Sequence, residues 1–192
     1  MRTTKPTLSG LLLGLLIPLA TLSARPAAAG TLADVTLPDR VDAGGKSLVL
    51  NGMGLRKKFF IKVYVSGLYL PAKEKVASKI LAADEPRRMV LHFVYSVSAE
   101  QMCDAWKEGL ADNAPQAPAE IKTALCGFME PIDKGKELVL TYTPGEGTKV
   151  EVNGKVKGTI PGKVAADAIL STWIGPKPGP GEDFKKAVLG AN

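Results

Sequence analysis

Asn51-Gly52-Met53-Gly54-Leu55-Arg56-Lys57-Lys58-Phe59-Phe60-Ile61-Lys62-Val63-Tyr64-Val65-Ser66-Gly67-Leu68-Tyr69-Leu70 is the stretch from which the rest of the chain can be read. It opens on two glycines one residue apart, a pair that suits a tight turn because glycine accepts positive φ without penalty. The apolar run after it, rich in Phe, Val, Ile and Tyr, predicts a long strand or hairpin from Leu55 to Leu70 that is largely buried and is stopped by Pro71. Counting in twos, Lys57, Phe59, Ile61, Val63, Val65 and Tyr69 share one face, which reads as core. Arg56, Lys58, Phe60, Lys62, Tyr64, Ser66 and Leu68 share the other. That second face carries Arg56 and Tyr64 among mixed neighbours.

Working outward, residues 33–50 predict one or two short strands around the turn-forming Asp42-Ala43-Gly44-Gly45. Val76 to Ala82 reads as a short helix, and Arg88 to Tyr95 as a strand by composition. Ser98-Ala99-Glu100-Gln101 has capping-box chemistry, and Met102, Trp106 and Leu110 follow at helical spacing. After a proline-rich break, Pro118 opens a second helix with Ile121, Leu125 and Phe128 on one face. Glu137–Thr143 and Lys149–Val152 alternate as strands, and Asn153-Gly154 is a strong hairpin signal leading to a return strand at Lys155–Ile160. Gly162 to Ile174 reads as a helix burying Val164, Ala165, Ala168, Ile169, Thr172 and Trp173. A connector at Pro176–Gly181 and a last short helix at Glu182–Leu189 complete the chain. Strands, two helices, strands, helices is the order of an α+β domain.

The first thirty residues read differently. Arg2 and Lys5 precede an apolar run from Leu11 to Leu22, and Ala27-Ala28-Ala29 supplies a small-residue cleavage pattern. Residues 1–29 are therefore expected to be a cleavable signal peptide, with residues 30–192 forming one domain in the periplasm or outside the cell. No later stretch is long enough to span a membrane. The formal charge of +6 falls to +3 without the leader, 22 basic against 19 acidic residues, so charge lends no support to a nucleic-acid partner.

Two cysteines and one histidine, His92, are too few for a metal site, and no cofactor motif is present. Gly52 and Gly54 lack the third glycine and the following helix of a dinucleotide fingerprint. His92 lies in an apolar strand and reads as a core histidine. Cys103 and Cys126 are equidistant from the middle of the inter-helix connection, so antiparallel helices would bring them level. In an exported chain they would then form a disulfide; the alternative is two buried free thiols.

The pattern N-G-x-G-x-R followed by F-x-K-V-Y-V-x-G-L-Y-L, with Ile169-Leu170-Ser171-Thr172-Trp173-Ile174-Gly175-Pro176 and the terminal Leu189-Gly190, resembles the bacterial chalcone-isomerase-like family over roughly residues 31 to 190. The resemblance implies a large antiparallel sheet with helices packed on one face and a ligand cleft between the layers. It implies that Arg56 faces that cleft, as the corresponding arginine does in plant isomerases and fatty-acid-binding relatives. Tyr64 stands where the isomerases carry a threonine and matches the fatty-acid-binding branch, in which an arginine and a tyrosine hold the ligand carboxylate. A guanidinium suits this role by its paired donors, and a phenol adds one more.

Other isomerase positions are replaced by Met102, Gly109 and Ala166, so no catalytic residue is assigned. The expectation is a non-enzymatic protein that binds a small amphipathic carboxylate such as a fatty acid. One alternative is an isomerase or lyase acting on a phenolic substrate. The other is a structural or partner-binding protein with no ligand.

Overall fold

The structure, a computed structural model, describes Met1 and residues 29–191. The expected signal peptide lies outside the described residues. The described residues form nine strands and five helices. Strands β1 (Ala29–Leu32) and β2 (Val35–Pro38) form a small antiparallel hairpin. The other seven strands form one antiparallel sheet in chain order. They are β3 (Arg40–Ala43), β4 (Lys46–Lys58), β5 (Ile61–Leu70), β6 (Arg87–Phe93), β7 (Glu137–Thr143), β8 (Gly147–Val152) and β9 (Lys155–Ile160). Helix α1 (Ala77–Ala82) joins β5 to β6, helices α2 (Ala99–Asn113) and α3 (Ala119–Phe128) join β6 to β7, and α4 (Lys163–Ile174) and α5 (Glu182–Val188) follow the sheet. The architecture is α+β, with a large antiparallel sheet and helices on one face, as the sequence implied.

Period-two alternation sorts the side chains. Tyr64, Leu68, Met89, Leu91, Phe93, Leu138, Leu140, Val150 and Val152 point to the helices and build the larger core with Trp106, Ile169, Trp173, Phe184 and Val188. Leu48, Leu50, Val65, Tyr69, Val90 and Val139 point the other way and are covered by Val35 and Leu37 of the small hairpin. Both faces of the central strands are therefore core. This corrects the expectation that the Tyr64 face is the mixed one.

Three further expectations are overturned in the organising stretch and in α4. The chain turns at Phe59-Phe60, leaving Phe59, expected on the core face, 88% exposed, with Phe60 of the mixed face beside it 101% exposed. Gly52 and Gly54 lie inside β4, not in a turn. A Cβ at Gly52 would collide with the Ala187 carbonyl, and one at Gly54 would stand 2.8 Å from the Phe184 ring. The glycines are there because α5 lies directly on the strand. Val164, expected to be buried, is 66% exposed at the start of α4.

Local signals elsewhere act as read. Ser98 caps α2 with the reciprocal Gln101 bond. Asn153 and Gly154 take φ of 54° and 77° between β8 and β9, the pair of positive values a type I′ turn needs. Cys103 and Cys126 are bonded, with Cα atoms 4.7 Å apart, and tie α2 to α3. Trp106 of α2 and Trp173 of α4 meet edge to face at 5.3 Å.

Candidate functional site

The two residues singled out for binding face each other. Arg56 of β4 is the Cα partner of Tyr64 of β5, and a bulge at Val63 then shifts the register so that Lys57 opposes Lys62. Directly paired residues project to the same side of a sheet, here the helix side. Arg56 is half-buried, and its Nη1 donates to the Gly179 carbonyl at 2.6 Å, tying the strand to the α4–α5 connector. Among the described residues, no carboxylate forms an ion pair with Arg56.

Tyr64 is 6% exposed and lies edge-on to Phe93 and Phe184, with ring centroids 5.4 Å and 6.1 Å away. Its hydroxyl accepts the Trp173 indole N–H at 3.0 Å. Burial pushes the phenol up to about 12, against the opposing pull of the Arg56 charge and the indole bond. Tyr64 is thus a neutral hydroxyl at physiological pH and retains a proton to donate. It can hold an anion but cannot serve as a general base there.

Two cavities of the sheet–helix region lie away from this pair. The cavity between the sheet and α4, lined by Leu68, Met89, Leu140, Ile169, Leu170 and Trp173, is about 20 Å³, room for roughly one water. A second, of about 270 Å³, opens at the surface around Pro71–Glu74 and Pro86–Arg87. Neither reaches Arg56 or Tyr64. Between the layers, Phe93 and Phe184 pack edge-on to Tyr64, and Trp106 packs edge-on to Trp173. Met102 and Ala166 are buried, and Gly109 packs against Thr172 with no room for a polar side chain.

Sequence reasoning missed one polar cluster. Arg87, 5% exposed, donates to Asp167 at 2.5 Å and to the Ile80 carbonyl at 3.1 Å, and stacks over the Tyr142 ring at 5.0 Å. Lys163 shares Asp167, and the Tyr142 hydroxyl donates to Asp84 at 2.5 Å. Burial and the Asp84 carboxylate push that phenol up to about 12 as well. The alternation Arg87, Met89, Leu91, Phe93 could have placed Arg87 on the helix side. With every formal charge answered by a neighbour, the cluster reads as a structural lock between β6, β7 and α4. His92 lies half-buried, 3.1 Å from Glu137, and belongs to no triad. Among the described residues no cluster suited to a metal is present, and no helix is long and apolar enough to cross a membrane.

Comparison with known proteins gives two findings. A family model described as chalcone isomerase-like matches residues 29–190. The crystal structure of a fatty-acid-binding protein of Arabidopsis thaliana superposes with a TM-score of 0.65 at 17% identity, covering 84% of this chain and 96% of that one. At that identity the likeness is one of fold. No curated protein sequence matches the chain.

Proposed function

Because the chain belongs to the chalcone isomerase-like family, we propose that it is a non-catalytic carrier of a small amphipathic carboxylate such as a fatty acid, working outside the cytoplasm. The observation that carries this reading is the cross-strand pair of Arg56, a half-buried cation with no acidic partner among the described residues, and Tyr64, a buried phenol that stays neutral. A carboxylate there would accept from the guanidinium fork and from the Tyr64 hydroxyl, replacing the single Gly179 carbonyl contact. The acyl chain would enter between the sheet and the α4–α5 layer. Phe184 and Trp173 would have to move aside, at a cost offset by burial of roughly 0.8 kcal/mol per ligand methylene. The Cys103–Cys126 disulfide and the N-terminal leader pattern both support export.

The aromatic packing around Tyr64 favours a second reading, a scaffold or partner-binding protein with no ligand. Extraction of the purified protein followed by mass spectrometry separates the two: a co-purifying fatty acid supports the carrier. In calorimetric titration with dodecanoate or hexadecanoate, Arg56→Ala is expected to weaken binding by about 1.5–3 kcal/mol, the worth of a charge-assisted hydrogen bond. Unchanged affinity in that variant, or no acid bound by the native protein, would remove the carrier reading in favour of the scaffold. Turnover of a chalcone above its spontaneous rate would instead favour an isomerase.

A further inference from the structure

The tip of the β4–β5 hairpin breaks three local rules at once. Phe59 and Phe60 form a two-residue turn that protrudes into solvent, with Ile61 beside them 45% exposed. Phe59 takes φ of 55° at the first central position, where a type II′ hairpin carries glycine, and a bulky residue there is strained. Two steps behind the tip Lys57 opposes Lys62, a like-charge pair that opposes strand pairing. None of this serves the fold, since Phe60 is fully exposed. Conflicts of this kind concentrate where a surface has another task.

Charge narrows down what that task is. From Lys46 to Leu70 the hairpin contains five basic residues, Lys46, Arg56, Lys57, Lys58 and Lys62, and no acid. Lys57, Lys58 and Lys62 are exposed, and among the described residues none forms an ion pair. Tyr95, 51% exposed, donates its backbone N–H to the carbonyl of the bulged Val63 and so stands beside the hairpin stem.

We propose that this tip docks on an anionic lipid bilayer, with Phe59 and Phe60 entering the acyl boundary and the lysines meeting the headgroup phosphates. The apolar part is convex and two residues wide, so it needs a medium that yields around it. At about 3.3 Å per residue the Lys58 and Lys57/Lys62 positions trail the tip by one or two steps. That spacing is compatible with aromatic insertion of about 5–10 Å and cations at the phosphate level. Tyr95 then lies near the interface, where tyrosine is favoured. The inference does not rest on the carrier reading. A protein with no ligand could dock in the same way.

Flotation with vesicles of mixed phosphatidylglycerol and phosphatidylcholine tests it. The native chain is expected to bind these more tightly than phosphatidylcholine alone, and to dissociate at high salt. The Phe59→Ser/Phe60→Ser double variant should lose at least about tenfold in partition, given the apolar area withdrawn. Each Lys→Gln change at 57, 58 or 62 should cost about fivefold on the anionic vesicles. All variants share one N-terminus, so differences belong to the tip. Phe60→Trp, which keeps the aromatic tip, should show a blue shift in emission with anionic vesicles only. Equal partition of the native chain and the Phe→Ser variant, or no shift for Phe60→Trp, would overturn the proposal. So would sedimentation showing a dimer that the Phe→Ser variant abolishes without any vesicle effect, since that would assign the tip to a second copy of the chain.

Discussion

At Asn51 one buried amide closes three polar gaps. Its Nδ2 donates to the Glu74 and Val188 carbonyls at 2.9 Å and 3.0 Å, and its Oδ1 accepts the Glu74 N–H at 2.8 Å. The asparagine of the N-G-x-G motif thus binds a loop and the end of α5 to β4. Asn51→Ala is expected to cost about 2–3 kcal/mol, because it orphans buried backbone groups, and urea denaturation would measure it. Arg56 and Tyr64 were singled out by the family resemblance, and the period-two count put them on one face, which their cross-strand pairing keeps. What their side chains touch was not legible. The Gly179 carbonyl lies 123 residues from Arg56 and the Trp173 indole 109 from Tyr64, and nothing in the hairpin's own sequence announces them.

At the scale of elements, α5 on β4 and α2 against α3 show two ways of joining pieces. Helix α5 docks because Gly52 and Gly54 remove the side chains that would hold it away, so Phe184 and Val188 reach the strand. Helices α2 and α3 are joined covalently across a separation of 23 residues. Closing a loop of that length stabilises by about 3 kcal/mol on the chain-entropy account. Adding reductant should therefore lower the unfolding free energy of the native protein by about that amount. It should leave the Cys103→Ser/Cys126→Ser variant unchanged; equal sensitivity in both chains would mean the bond is not the cause. Hairpins were the most legible elements, since Asn153-Gly154 needs only its own backbone freedom. The Phe59-Phe60 turn was not, because its composition matches a buried strand and only the protruding geometry exposes it.

For the whole molecule, Tyr64, Tyr69 and Tyr142 set a limit at high pH. Burial raises all three phenols from 10.0 to about 12. Each is held more firmly protonated in the fold than in the unfolded chain, so this stability is intact below pH 10 and is lost as pH rises through 12. At pH 12 the fully buried Tyr64 contributes roughly 2 kcal/mol less than at neutrality, and Tyr69 and Tyr142 act in the same direction. Tyrosinate absorbance and circular dichroism followed together should change in one alkaline step, and Tyr64→Phe should move that step upward. Separate steps, with phenols ionising in a folded protein, would contradict the burial described here.

By itself the sequence determined the kind and order of the elements from β5 onward, the α+β class, the capping of α2, the Asn153-Gly154 turn and the level placement of Cys103 and Cys126, but not the β1–β2 hairpin or the extent of β4. The features it determined follow from periodicity, backbone preference and counting, which act over a few residues. Only the tertiary structure decided that both sheet faces are buried, that the N-G-x-G glycines seat a helix, that Phe93 and Phe184 pack edge-on to Tyr64, and that Phe59 and Phe60 stand in water. Those outcomes depend on which distant surfaces meet and on the volume left between them, and local preference has no term for either.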